Sequence, residues 1–213
     1  MIEEKGPLAS SSVDGFLSNL ASSSPAPGGG SVAALAGALA AALSSMVCNL
    51  TLGKKKYENV QDDIKEMVKK SEKLRKQLTE LIDEDTTAFN DVVKAFKMPK
   101  ETDEQKNKRS EAIQKGYRKA AMVPLKTAQV CNQTLDVAEL VAEKGNTNSI
   151  TDAAVAALMG EAGVFAATLN VKINLGSIKD SSFVEEIREK LSSIESNATK
   201  KKERVLSIVN EKM

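Results

Sequence analysis

The chain has 213 residues, enough for one good core or at most two small domains, and its 30 Lys+Arg against 29 Asp+Glu leave a net charge of +1. With aromatics at 3% and no Trp, that balance excludes the basic, base-stacking surface that nucleic acid requires. Histidine is absent, which removes imidazole acid–base chemistry, Ser-His-Asp and Cys-His nucleophiles and the ordinary zinc or iron sites, so any catalysis falls to Asp, Glu, Lys, Tyr, Ser and Asn.

In chain order, Met1 to Pro7 is charged and short of apolar residues, which argues against a secretory leader. After Ser10-Ser11-Ser12, the spacing of Val13, Phe16, Leu17 and Leu20 predicts a short amphipathic helix. Next comes Pro25-Ala26-Pro27-Gly28-Gly29-Gly30-Ser31, which ends a Ser-rich run and opens an Ala-rich helix over Val32 to Leu52, closed by Gly53. Pro27 fixes its φ, the three glycines can take positive φ and admit a close neighbour, and Ser31 is a good N-cap. Such a corner presents free N–H groups and the positive end of a helix dipole to an anion. The residues alone leave a plain loop before a helix equally open. Nothing charged lies between Asp14 and Lys54, which raises a membrane span. The Ala, Ser, Asn and Thr content and the missing interfacial aromatics fit a core helix packed at close range better, so no membrane is expected.

A long helix is expected from about Tyr57 to Phe96. Val60, Ile64, Met67, Ser71, Leu74, Leu78, Leu81, Asp85, Ala88 and Val92 run along one stripe. Lys54, Lys55 and Lys56 sit at its start, against the dipole; a solvated face explains them, and so does an anionic ligand. Asp85 is the most telling residue. It stands on an otherwise apolar or small stripe, where a carboxylate is costly unless paired, hydrogen-bonded or protonated. It reads as a bond to a neighbouring helix terminus, as a boundary position where the stripe leaves the core, or, somewhat ahead of these, as the acid of a pocket.

Met98-Pro99 ends this helix, and Thr102 with Gln105 has the spacing of a capping box for the next. Ile113, Tyr117, Ala120, Pro124, Ala128, Cys131, Leu135, Ala138 and Ala142 make its apolar face, which Pro124 should kink or split and Gly145 should end. Ser149 with Asp152 repeats the capping-box spacing, starting a second small-residue helix from Ala153 to Leu169 that ends near Asn174 and Gly176. Asn170 and Asn174 share one face, where paired amides can read the edge of a heterocycle or bond nearby backbone. Ser181 or Ser182 starts a last amphipathic helix through Val184, Ile187, Leu191, Ile194, Ala198, Val205 and Ile208. No strand-like alternation, repeat or interdomain linker appears. The expected architecture is all-α, one domain over 1–213, with the two Ala-rich helices central and the charged ones outside. Cys48 and Cys131 have no paired spacing and read as buried, reduced thiols of a cytoplasmic protein.

Taken together, several stretches resemble the cyclodeaminase/cyclohydrolase family of folate enzymes. They are Ser24-Pro25-Ala26-Pro27-Gly28-Gly29-Gly30-Ser31-Val32-Ala33-Ala34, Asn49-Leu50-Thr51 with Gly53-Lys54-Lys55-Lys56-Tyr57, Leu81-Ile82-Asp83-Glu84-Asp85 with Ala88-Phe89, Gly145-Asn146-Thr147-Asn148-Ser149 with Thr151-Asp152-Ala153-Ala154, and Asn170 with Asn174. The resemblance implies an all-helical homodimer acting, without cofactor or metal, on a one-carbon unit held on N5 or bridged to N10 of tetrahydrofolate, with a tail that can be polyglutamylated. Cyclohydrolase action on 5,10-methenyltetrahydrofolate is the first expectation, because the chain has no room for a transferase domain. Formiminotetrahydrofolate cyclodeaminase is the alternative. A non-catalytic folate-binding bundle or a purely structural helical protein stands further off. The resemblance implies Asp85 as acid and base, with Asp152 second. Asn148, Asn170 and Asn174 would orient the pterin or water. Gly28, Gly29, Gly30 and Ser31 would offer N–H groups, Asn49 would belong to the substrate-binding set, and Lys54, Lys55 and Tyr57 would hold the glutamate tail.

Overall fold

The computed structural model describes residues 7–213; the charged stretch before Pro7, read above for a leader, lies outside the described residues. The described residues form six α-helices and three short 3-10 turns, without a strand. The helices are α1 (Val13–Leu20), α2 (Gly29–Thr51), α3 (Gln61–Phe96), α4 (Asp103–Lys144), α5 (Ile150–Leu175) and α6 (Ser181–Lys212). The all-α expectation holds.

Most boundaries follow from local chemistry. Ser12 caps α1 through its hydroxyl, Thr102 and Gln105 close the expected capping box on α4, and Gly53 takes the left-handed conformation (φ 70°) just past α2. Four expectations need correction. First, α2 begins at Gly29, so Ser31 lies inside its first turn and Gly28 is the cap; none of Gly28, Gly29 and Gly30 has positive φ. Second, Lys55–Val60 is a 3-10 turn broken at Tyr57, and α3 starts only at Gln61. Third, Ser149 makes no capping box with Asp152, because its hydroxyl donates to the Asn146 carbonyl at 3.1 Å. Ser181 opens α6 as expected, and Asp180 before it caps the helix by accepting from Phe183 N–H.

The fourth concerns Pro124, which does not split α4: the helix continues through it as one element. Proline cannot supply the N–H that the Ala120 carbonyl would otherwise receive. The Asn174 side chain supplies it from α5, with Nδ2 donating to Ala120 O at 3.0 Å. A neighbouring helix thus satisfies the vacancy in the ladder.

The small residues of α2 and α5 let helices pack almost backbone to backbone. A Cβ at Gly163 would lie 2.9 Å from Cys131 Sγ, 3.1 Å from the Ala33 carbonyl and 3.2 Å from Gly37 N, so α2, α4 and α5 meet at one point that no larger residue fits. Leu78, Leu81, Leu135, Val47, Val141 and Val164 fill the core around it. α3 and α4 cover one side and α6 lies over α4 and α5. The central helices are not wholly enclosed, however. Val155, Leu158, Phe165, Leu169 and Ile173 make an exposed apolar stripe along α5, and Leu39, Met46 and Leu50 do the same on the adjacent α2. Both helices are long and apolar enough to cross a membrane by length and composition, but 67% of the apolar window of α2 is buried inside the bundle, the character of a core helix.

Candidate active site

The α3 stripe that buries Leu78 and Leu81 carries Asp85 to the N-terminus of α2. There Asp85 Oδ2 accepts the Ser31 backbone N–H at 3.1 Å, while the Ser31 hydroxyl donates to the Ile82 carbonyl at 2.8 Å. Two of the readings open for Asp85 therefore meet: it bonds a neighbouring helix terminus, and it lines a pocket. The anion at the glycine corner is the protein's own carboxylate. This also explains the glycines. A Cβ at Gly30 would have all three carboxyl atoms of Asp85 within 2.6 Å, and one at Gly29 would lie 3.1 Å from Asn170 Nδ2. They are there for close approach, not for a turned backbone.

Around Asp85 opens a cavity of about 440 Å³. Gly28, Gly29, Asn170 and Asn174 line it, as sequence reasoning expects, and so do Ala88, Phe89, Val92, Phe96 and Tyr117. Burial pushes the Asp85 carboxyl above the usual carboxylate range, against the opposing pull of its hydrogen bonds from Ser31. Asn170 Nδ2 donates to Ala166 O at 2.8 Å, and Asn174 Nδ2 donates both to Ala120 O and, at 2.8 Å, to Asn170 O. With both amide hydrogens of Asn174 committed, its Oδ1 is the atom left to interact with a ligand. The cavity is therefore acceptor-rich, with one desolvated carboxylate. It suits a cationic or donor-bearing ligand and a single proton passed to and fro.

The other expected residues are elsewhere. Asn49, Lys54, Lys55 and Tyr57 lie at or beyond the far end of α2, roughly 33 Å from Gly29 along the helix axis. Asn148 and Asp152 flank the start of the antiparallel α5, and Asp152 is 18 residues before Asn170. Asn49, Lys54, Lys55 and Asn148 are exposed there. Tyr57 Oη accepts the Thr147 N–H at 3.0 Å, Lys56 Nζ reaches Thr147 Oγ1 at 3.3 Å, and Asn146 donates from Nδ2 to Leu50 O at 3.1 Å. This second cluster fastens the end of α2 to the start of α5. One chain does not bring it into the Asp85 cavity, and Asp85 is the one carboxylate among the residues lining it.

Sequence reasoning missed Phe89 and Phe96 as lining residues and gave Tyr117 to the core. The available signal was a second apolar edge on α3, with Phe89, Val93 and Phe96 at i, i+4 and i+7 beside the main stripe.

Comparison with known proteins gives a consistent set of likenesses. The family model described as formiminotransferase-cyclodeaminase matches residues 12–193. The chain is 47% identical over 201 residues to a methenyltetrahydrofolate cyclohydrolase of Methylorubrum extorquens, covering 94% of this chain and 97% of that one. It is 38% identical over 197 residues to the formimidoyltransferase-cyclodeaminase of Mus musculus, where the match spans 91% of this chain but only 36% of the relative. Its fold matches the crystal structure of formiminotetrahydrofolate cyclodeaminase from Thermotoga maritima with a TM-score of 0.86 at 32% identity, over 95% of this chain and 97% of that one.

Proposed function

The chain belongs to the formiminotransferase-cyclodeaminase family, and we propose that within it this protein is a 5,10-methenyltetrahydrofolate cyclohydrolase. The observation that carries the choice is the 47% identity, over nearly the whole length of both chains, to a protein of that name. The cavity chemistry supports it. The substrate is a cation whose charge spreads over N5, the bridging carbon and N10, and a desolvated carboxylate beside it favours that charge electrostatically. Water adds to the bridging carbon while Asp85 takes its proton, giving a neutral tetrahedral carbon. Asp85 returns that proton to N5 as the carbon–N5 bond breaks, and the remaining hydroxyl releases its proton to solvent as the formyl carbonyl forms on N10. The sum is one water consumed and one proton released. Asn170 and the acceptor oxygen of Asn174 orient the pterin or the water.

The likeness to the Thermotoga maritima structure favours a second reading, formiminotetrahydrofolate cyclodeamination, in which N10 attacks the formimino carbon and ammonia leaves. The test supplies 5,10-methenyltetrahydrofolate and 5-formiminotetrahydrofolate separately. Accelerated hydrolysis of the first is the expected result. Ammonia release from the second without accelerated loss of the first overturns the choice.

The protein works as a homodimer in this reading. Exposed apolar residues run along α5 and along α2, two helices packed against each other, and both present them on long, regular faces that a second copy can match. The free, buried cysteines fit a reducing cytoplasm.

A further inference from the structure

Beyond Asp85 the cavity changes character. Along α3 from Asp85 to Phe96 it runs 11 residues, about 16 Å, walled by Ala88, Phe89, Val92 and Phe96 and closed from α4 by Tyr117. Three of the seven Phe and Tyr residues of the chain meet in this one groove. Phe89 and Phe96 remain 38% and 46% exposed, apolar surface that the fold leaves uncovered. Phe96 meets Tyr117 edge-on, with ring centroids 6.1 Å apart.

Beside Phe96, next to the residues that line the groove, stands a cation. The Arg109 guanidinium lies 5.5 Å from the centre of the Phe96 ring, and Nε and Nη2 both donate to the Phe96 carbonyl at 3.2 Å. The fork is thus held in a fixed orientation, with three of its five N–H groups uncommitted to that carbonyl. Arg75, Arg118 and Arg204 each pair with a carboxylate, whereas Arg109 and Arg188 have no ion pair among the described residues, and of these two Arg109 is the one that touches a residue lining the groove. An anchored guanidinium without a counter-ion, against the last aromatic ring of the groove, matches an arylamide arm that ends in a carboxylate.

We propose that the groove from Asp85 to Phe96 takes the aryl arm of the substrate and that Arg109 binds the tail carboxylate. This rests on the folate reading above and deepens it. The tail then leaves between the end of α3 and the start of α4, and Lys54, Lys55 and Tyr57 are relieved of that role.

The test compares KM and kcat for 5,10-methenyl substrates carrying no glutamate, one glutamate and several γ-linked glutamates. The proteins are wild type, Arg109→Ala, Arg109→Lys and Lys54→Ala/Lys55→Ala, each checked by thermal melting. For Arg109→Ala, KM should rise about ten-fold on the glutamylated substrates, with kcat unchanged and little effect on the substrate lacking glutamate. Arg109→Lys keeps the charge without the fork and should fall between, and it serves as the reading if the alanine variant melts below the assay temperature. Unchanged KM in both Arg109 variants, or a glutamate-selective loss in the lysine double variant instead, overturns the proposal and leaves the folate reading intact. A wild type that turns over none of the substrates overturns both.

Discussion

A carboxylate walled by Ala88, Phe89 and the backbone of a helix is held in its site by opposing effects. Desolvation raises the pKa of Asp85, and the Ser31 N–H at the positive end of α2 lowers it, with desolvation the larger. The folded-state value therefore lies above the unfolded one near 3.9, and the native chain binds that proton more tightly. The destabilising contribution appears as pH rises from about 4 through the folded pKa and is fully present above it. Asp85→Asn should cut kcat by about 10² to 10⁴, the usual worth of a positioned acid–base group. It should match or exceed wild type in thermal stability at pH 7, with the gain shrinking toward pH 4 in a series of melts. Gly30→Ala gives the complementary result. Alanine ordinarily gains about 1 kcal/mol over glycine inside a helix, yet here its Cβ would push the carboxylate off Ser31. Turnover should fall toward that of Asp85→Asn with little change in melting temperature. At this scale Asp85 is legible because its stripe is otherwise apolar. The glycines are legible as special but not in kind: a glycine that turns the chain and one that makes room for a neighbour look alike until the neighbour is known.

Helices add a scale at which separate parts of the chain complete one another. Pro124 leaves the Ala120 carbonyl without its ladder partner, and Asn174 fills the place from 54 residues away. Asn174→Ala should therefore destabilise by about 1–3 kcal/mol, the cost of an unsatisfied buried acceptor. Pro124→Ala in the same chain restores an N–H within α4, and the double variant should recover most of the loss in denaturant titrations. Additive losses would show that the two residues are not coupled. The same Asn174 bond explains why Pro124 does not split α4 in two. That outcome depends on α5, which no reading of α4 alone contains. Capping shows the same limit. Thr102 and Gln105 are read correctly because both partners lie within one turn. Ser149 and Asp152 are misread because Asn146 competes for the serine hydroxyl.

Across the whole molecule, residues that the chain order makes look like one site divide between the two ends of α2. Spacing conveys which residues share a helix face, but not which helix ends are neighbours, and this is why Tyr57 and Asp152 could not be excluded from the Asp85 cavity in advance. The all-α class and the small-residue centre were fully legible, since both rest on periodicity and composition. The outward stripe of α5 was not, because an apolar face reads the same whether the chain or another molecule covers it. Leu158 is 47% exposed on that stripe. Leu158→Glu should therefore leave the fold intact while halving the mass found by sedimentation equilibrium; a wild type already at monomer mass would refute the dimer. The tight junction at Gly163 carries a last consequence. Cys131 lies against it and is fully covered, and burial pushes its thiol up to about 12 and that of Cys48 to about 11. At neutral pH neither sulfur is accessible or ionised. An alkylating reagent can capture them only when the packed helices part, so the labelling rate becomes a clock for spontaneous opening: Cys48, near the end of α2, should tick first, and Cys131 only when the centre itself comes undone.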